Sequence, residues 1–191
     1  MKKALSIFAA LMLLCFFSPQ AWAYYIGSVV VPSGQTIYYN IIDGKISITH
    51  PGTYYRDPDY PNIFHGNPWG DFIRPTGDLA IPDSIMFNNV LYPVTSIGGY
   101  AFIGCTGLTS ITIPNGVTSI DSSAFSGCSG LTSINIPDSV TYIGGNAFNN
   151  CSGLTSINIP DGVTYIGGYA FNNCRWVLFI HFLVIQTDRT L

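Results

Sequence analysis

Glutamate is missing altogether: all ten acidic residues among the 191 are aspartate. Cations are nearly as scarce, and no Lys or Arg falls between Leu79 and Cys174. Nucleic acids and anionic lipid surfaces demand a basic face, so the charge balance argues against both as partners. No stretch sustains an apolar i, i+3, i+4, i+7 pattern long enough for a substantial helix. Val, Ile, Thr and Tyr abound instead, and Gly and Pro interrupt them, a composition that suits short strands and turns. Chemistry is sparse too. His50, His65 and His181 are scattered, with no HExxH spacing. There is no G-x-S-x-G and no phosphate loop. His65 and Asp71 flank Trp69 and could in principle form a metal site or an acid–base pair, but a surface loop histidine is the commoner arrangement. No catalytic residue, metal site or cofactor is expected.

What the chain has is a repeat. Cys128 to Asn173 divides into two lines of 23 residues that differ only at Ser139 against Gly162 and Asn146 against Tyr169. A looser copy runs from Cys105 to Gly127. Such a period marks a solenoid. Ile113-Pro114, Ile136-Pro137 and Ile159-Pro160 keep the 23-residue step, whereas Ile81-Pro82 precedes them by 32. The nine extra residues fall in Ile85 to Val94, which reads as a hairpin through Asn88-Asn89. In Leu154 to Ile159, Ile157 and Ile159 alternate with Ser156 and Asn158, the pattern of a half-buried strand. Pro160 ends it, because proline cannot donate to a ladder. Val163 and Ile166 make a second apolar segment, Gly167-Gly168 turns the chain, and Ala170-Phe171 returns inward. Phe102, Phe125, Phe148 and Phe171 keep the period, as do Ile97, Ile120, Ile143 and Ile166. Each column is expected to stack along the axis, because one coil cannot bury its own face.

The first 23 residues read as a secretory signal peptide: basic Lys2-Lys3, apolar Ala4 to Phe17, and Ala21-Trp22-Ala23 before the expected cut. The apolar run is shorter than the roughly 20 residues that span a bilayer, so the mature chain has no expected membrane span. A lipoprotein cysteine at Cys15 is disfavoured by bulky Met12-Leu13-Leu14 before it. From Tyr24 onward, five cations face ten Asp, a formal charge of −5. Strands are expected at Tyr24 to Ile26, Ser28 to Val31, Thr36 to Ile41 and Lys45 to Thr49, with a hairpin turn at Asp43-Gly44. They would form a β cap on the solenoid, because an open end exposes core and strand edges. Tyr54 to Gly77 reads as a long loop whose aromatics Tyr54, Tyr55, Tyr60, Phe64, Trp69 and Phe72 pack into its own base, with a sugar platform as the sharper alternative. The division is therefore 1–23 signal peptide, 24–77 cap and loop, 78–174 solenoid, and 175–191 an atypical apolar tail.

Cys105, Cys128, Cys151 and Cys174 also stand 23 apart. Coils in register lie about 4.8 Å apart, beyond the roughly 3.5–4.5 Å Cβ separation of a disulfide, so buried free thiols are expected. Four sulfurs in a line do not converge on a tetrahedron, which disfavours zinc. Two outward columns are expected to lie in register: Ser110, Ser133 and Ser156, beside Thr112, Asn135 and Asn158.

The unit IPxSVTxIGxxAFxxCxGLTSI resembles the BspA-like leucine-rich repeat family, the short bacterial type, from about Asp78 to Cys174. Ile37 to Gly52 and the inserted first coil resemble that family's N-terminal region. The resemblance implies a β-rich leucine-rich-repeat solenoid with short parallel strands in each 23-residue coil. It also implies a secreted or cell-surface protein, of a class in which some members serve adhesion to host components. The partner would be an extracellular polypeptide or glycan. Gly116, Ser139 and Gly162 stand where ordinary leucine-rich repeats carry Asn, so no asparagine ladder is expected there. After Cys174 the outward positions become Leu178, Phe179 and His181, and Val177 to Phe182 is expected to attempt one last strand, with an apolar edge prone to self-association. A full-length adhesin is expected to carry more coils and an anchor. The alternative reading is therefore a truncated or degenerate paralogue that serves only as scaffold or spacer.

Overall fold

The computed structural model describes residues 26–51 and 73–174. The chain begins with an antiparallel meander of β1 (Ile26–Val30), β2 (Thr36–Ile42) and β3 (Lys45–Thr49). Ile37, Tyr39, Ile46 and Ile48 face inward and are buried. Asp43 and Gly44 both take positive φ, 49° and 72°, as a type I′ hairpin turn requires. Tyr24 and Tyr25, of the first of two short pieces expected here, lie outside the described residues; β1 runs straight through Gly27, where a break between the pieces was expected. Glycine is needed there because the Tyr39 ring occupies the space a side chain would fill.

Each coil then contributes two strands to two parallel sheets. The first sheet continues from β3 through β6 (Val90–Ile97), β8 (Ser119–Ile120), β10 (Tyr142–Ile143) and β12 (Tyr165–Ile166). The second contains β4 (Gly77–Ala80), β7 (Leu108–Thr112), β9 (Ser133–Asn135) and β11 (Ser156–Asn158). The insertion in the first coil is β5 (Ser84–Phe87), paired antiparallel with the start of β6 across Asn88 and Asn89, whose φ values are 49° and 62°. No helix occurs among the described residues, and so none there is long and apolar enough to cross a membrane.

The third side of each coil is a turn, yet it is bonded between coils as regularly as the strands. The amides of Phe102, Phe125 and Phe148 donate to Ala124, Ala147 and Ala170 at 2.7, 2.8 and 2.7 Å. To aim these groups along the axis, Tyr100, Ser123, Asn146 and Tyr169 each adopt a left-handed φ of 56–60°. That conformation costs a non-glycine residue about 1–2 kcal/mol, and the inter-coil bonds offset it. At the other corner, a side chain at Gly130 or Gly153 would strike the carbonyl of Thr106 or Ser129 in the preceding coil. These glycines are required by the close approach of backbones.

The core lies between the sheets. The Phe102, Phe125, Phe148 and Phe171 rings stack at 5.3, 5.2 and 5.3 Å, nearly parallel. Ile97, Ile120 and Ile143 form a second fully buried column. Burying one such side chain contributes about 1.5–3 kcal/mol, and each does so only against its neighbours above and below. Phe171 and Ile166, in the last described coil, are half-buried.

The cap continues the first sheet only. Among the described residues the second sheet ends at β4, and the Gln35 side chain meets its outer edge. Gln35 donates to the Asp78 carbonyl at 3.0 Å and accepts from the Thr76 amide at 2.7 Å. Its primary amide thus imitates the next strand and blunts an edge that would otherwise invite pairing. The expected signal peptide, the aromatics from Tyr54 to Phe72 and the strand at Val177 to Phe182 lie outside the described residues.

Candidate functional site

The outward face of the second sheet carries the two expected columns. Ser110, Ser133 and Ser156 pair in one row, and Thr112, Asn135 and Asn158 in the next. Inward Ile111, Ile134 and Ile157 hold the strands to the core, so alternation points their neighbours away from it. The rungs are not equivalent. Ser110 donates to Asp78 Oδ1 at 2.7 Å and Thr109 donates to the same oxygen at 3.0 Å. These bonds, that from Ser110 foremost, hold the Asp78 carboxyl below its usual range. The Ser110 hydroxyl proton is therefore committed, and the face runs from an anion at Asp78 to neutral rungs at Ser133/Asn135 and Ser156/Asn158. Beside them, Thr132 and Thr155 donate to the Thr109 and Thr132 carbonyls at 3.2 and 3.4 Å, which ties coil to coil.

The Phe and Cys columns lie within the coil, away from this face. Cys105, Cys128 and Cys151 are buried, Cys174 is half-buried, and all four are free thiols. Cys128, Cys151 and Cys174 donate to the carbonyls of Phe102, Phe125 and Phe148, each at 3.1 Å. Burial pushes the Cys105 thiol up to about 12 and raises the other three, so none is a nucleophile at neutral pH. Among the described residues, no group of His, Cys and Asp could hold a metal ion.

Two features were not anticipated. On the first sheet, Tyr142 and Tyr165 stack at 4.9 Å and 4°, and both are exposed. Their signal was the identical Thr-Tyr-Ile in two successive repeats. Asparagine also forms ladders, at the turn. Asn172 donates to Asn149 at 3.2 Å and Asn173 to Asn150 at 2.9 Å.

The family profile of the BspA type leucine rich repeat region matches residues 83–186 in six copies. A leucine-rich repeat protein from Bacteroides capillosus has a similar structure, with a TM-score of 0.55 and 28% identity over 78% of this chain and 91% of that one. One from Bacteroides ovatus, also 28% identical, has a TM-score of 0.44 over 70% of this chain and 36% of its own. A leucine rich repeat protein of T. pallidum reaches 0.49 at 21% identity, over 80% and 66%. No curated protein matches the chain. With one strand per coil in each of two sheets, stacked phenylalanines and a match over more than half its length, the chain is a leucine-rich-repeat solenoid and belongs to the BspA type leucine-rich repeat family.

Proposed function

We propose that the chain is a secreted or cell-surface interaction module that holds an extracellular polypeptide or glycan against the outward face of its second sheet. The observation that carries this is the register of Ser133 with Ser156 and of Asn135 with Asn158, which repeats one hydroxyl and one amide per coil. Solenoids use such repeated columns as extended binding surfaces. Small uncharged donors and acceptors suit a neutral or hydroxyl-rich partner. Each coil contributes weakly, so affinity should be modest and should rise with multivalent display. The basic start, apolar run and Ala21-Trp22-Ala23 of the first 23 residues support export.

The test displays the mature chain on beads and measures capture of extracellular-matrix proteins and mucin glycans. A parallel version carries Ser133→Arg and Asn135→Arg. The native version should capture a partner and the double variant should lose it. Equal capture by both removes this face as the site, and capture by neither favours a scaffold or spacer.

A further inference from the structure

The first sheet carries a row that the proposed second-sheet site leaves unused. Ser96, Ser119, Tyr142 and Tyr165 occupy one register line across β6, β8, β10 and β12. Inward Ile97, Ile120 and Ile143 are fully buried, so the four alternate residues lie on the outer side. The two tyrosine rings are parallel within 4° and 4.9 Å apart, close to the step of about 4.8 Å between paired strands. One face of Tyr142 is therefore covered by Tyr165, and the other is turned toward the coil of Ser119. Tyr142 still keeps 38% of its surface exposed. Beyond it the row drops to serine, so the ring stands as an apolar wall over a floor of Ser119 and Ser96. A third ring placed over Ser119 would continue the stack at the spacing the molecule already uses.

We infer that this step binds a neutral pyranose of a glycan, in the position a third ring would take. The axial C–H bonds of a pyranose make one face apolar, and that face packs on an aromatic ring, while its equatorial hydroxyls remain available to polar neighbours. Ser119 is bonded to the Asp121 carboxylate and keeps acceptor capacity for a sugar hydroxyl. Charge selects among glycans. Among the described residues β6, β8, β10 and β12 carry no Lys or Arg, and Asp121 borders the step, so a uronic acid or sulfated sugar meets a like charge there.

Saturation-transfer NMR on the mature chain with laminarihexaose, mannohexaose and maltohexaose tests this, with a hyaluronan oligosaccharide as the acidic control. At least one neutral sugar should bind, with the strongest transfer to its ring C–H protons. Tyr142→Ala should weaken it by about tenfold, near the upper end for one aromatic contact. Ser119→Tyr should abolish binding while keeping the thermal midpoint, because the same column already holds tyrosine in the next two coils. Asp161→Asn, at an exposed turn residue on neither row, should leave it unchanged. The inference is overturned if no neutral sugar binds, if hyaluronan binds in preference, or if Ser119→Tyr binds like the native chain. Loss of binding in the Asp161→Asn variant overturns it as well, by placing the sugar away from Tyr142.

Discussion

Replacing Phe125 by alanine should damage the solenoid more than the same change at Phe171, although the two residues are identical in the repeat. Phe125 is fully buried and stacked on both sides, at 5.3 Å to Phe102 and 5.2 Å to Phe148. Phe171 has a single ring neighbour among the described residues and is half-buried. Truncating a buried phenylalanine costs about 3–5 kcal/mol through lost transfer energy and the cavity left behind. Here neither neighbouring ring can turn into the gap without leaving its own stack, which favours the upper part of that range. At Phe171 roughly half the burial is at stake, or about 1–2 kcal/mol. A domain is held by only about 5–15 kcal/mol in total, so Phe125→Ala should remove about a quarter or more of it. In urea, with a slope of about 2 kcal/mol/M, the midpoint should fall by about 2 M for Phe125→Ala and by less than 1 M for Phe171→Ala. The central variant should also separate into two transitions, because stability in a repeat array is transmitted between neighbours. Equal shifts for the two variants would refute the reasoning, since they would mean that stacking position along the axis does not matter.

The thiols should be silent in the native protein at pH 8, because burial raises Cys105 to about 12 and lifts the other three as well. Cys174, the half-buried one, should react first, and denatured mature protein should yield the four free thiols. A count near zero, or unfolding on reduction, contradicts the ladder. Burial raises the Asp121 carboxyl, and the Ser119 hydrogen bond only partly opposes it. A folded value above the unfolded one means that the native state holds its proton longer, so this contribution is full below about pH 3.9 and lost as pH rises through the folded value. Asp121→Asn should therefore show a higher urea midpoint than the native chain at pH 7, and the gap should close near pH 3. A gap that widens on acidification would show the sign to be wrong.

How far the sequence reveals this molecule depends on how far each feature is local or repeated. Asp43-Gly44 and Asn88-Asn89 announce their hairpins because positive φ is a property of two adjacent residues. The phenylalanine and thiol columns announce themselves because a buried position tolerates few residues, so the period survives there in all four coils. The closure of β4 by Gln35 has no such mark. Its partners lie about forty residues downstream, and a single glutamine in a turn carries no signal of an edge to be covered. The left-handed Ser123 and Tyr169 were hidden for a different reason: the turn side is bonded from coil to coil, so it imposes a conformation that the residue type alone does not favour.

The outward rows are the hardest to read, because no packing limits them. Serine and asparagine on the second sheet satisfy the pleat equally well with a ligand or with water. The rows separate only through their neighbours. Asp78 claims the Ser110 proton at one end of the second sheet, while Tyr142 and Tyr165 pair their rings on the first. In a chain whose coils are nearly identical, such breaks in the repeat are where one rung can differ from the next. At the step from Tyr142 down to Ser119 a ring and a hydroxyl meet at one place, which suits a single sugar, whereas the repeated rungs of the second sheet suit an extended partner that spans several coils.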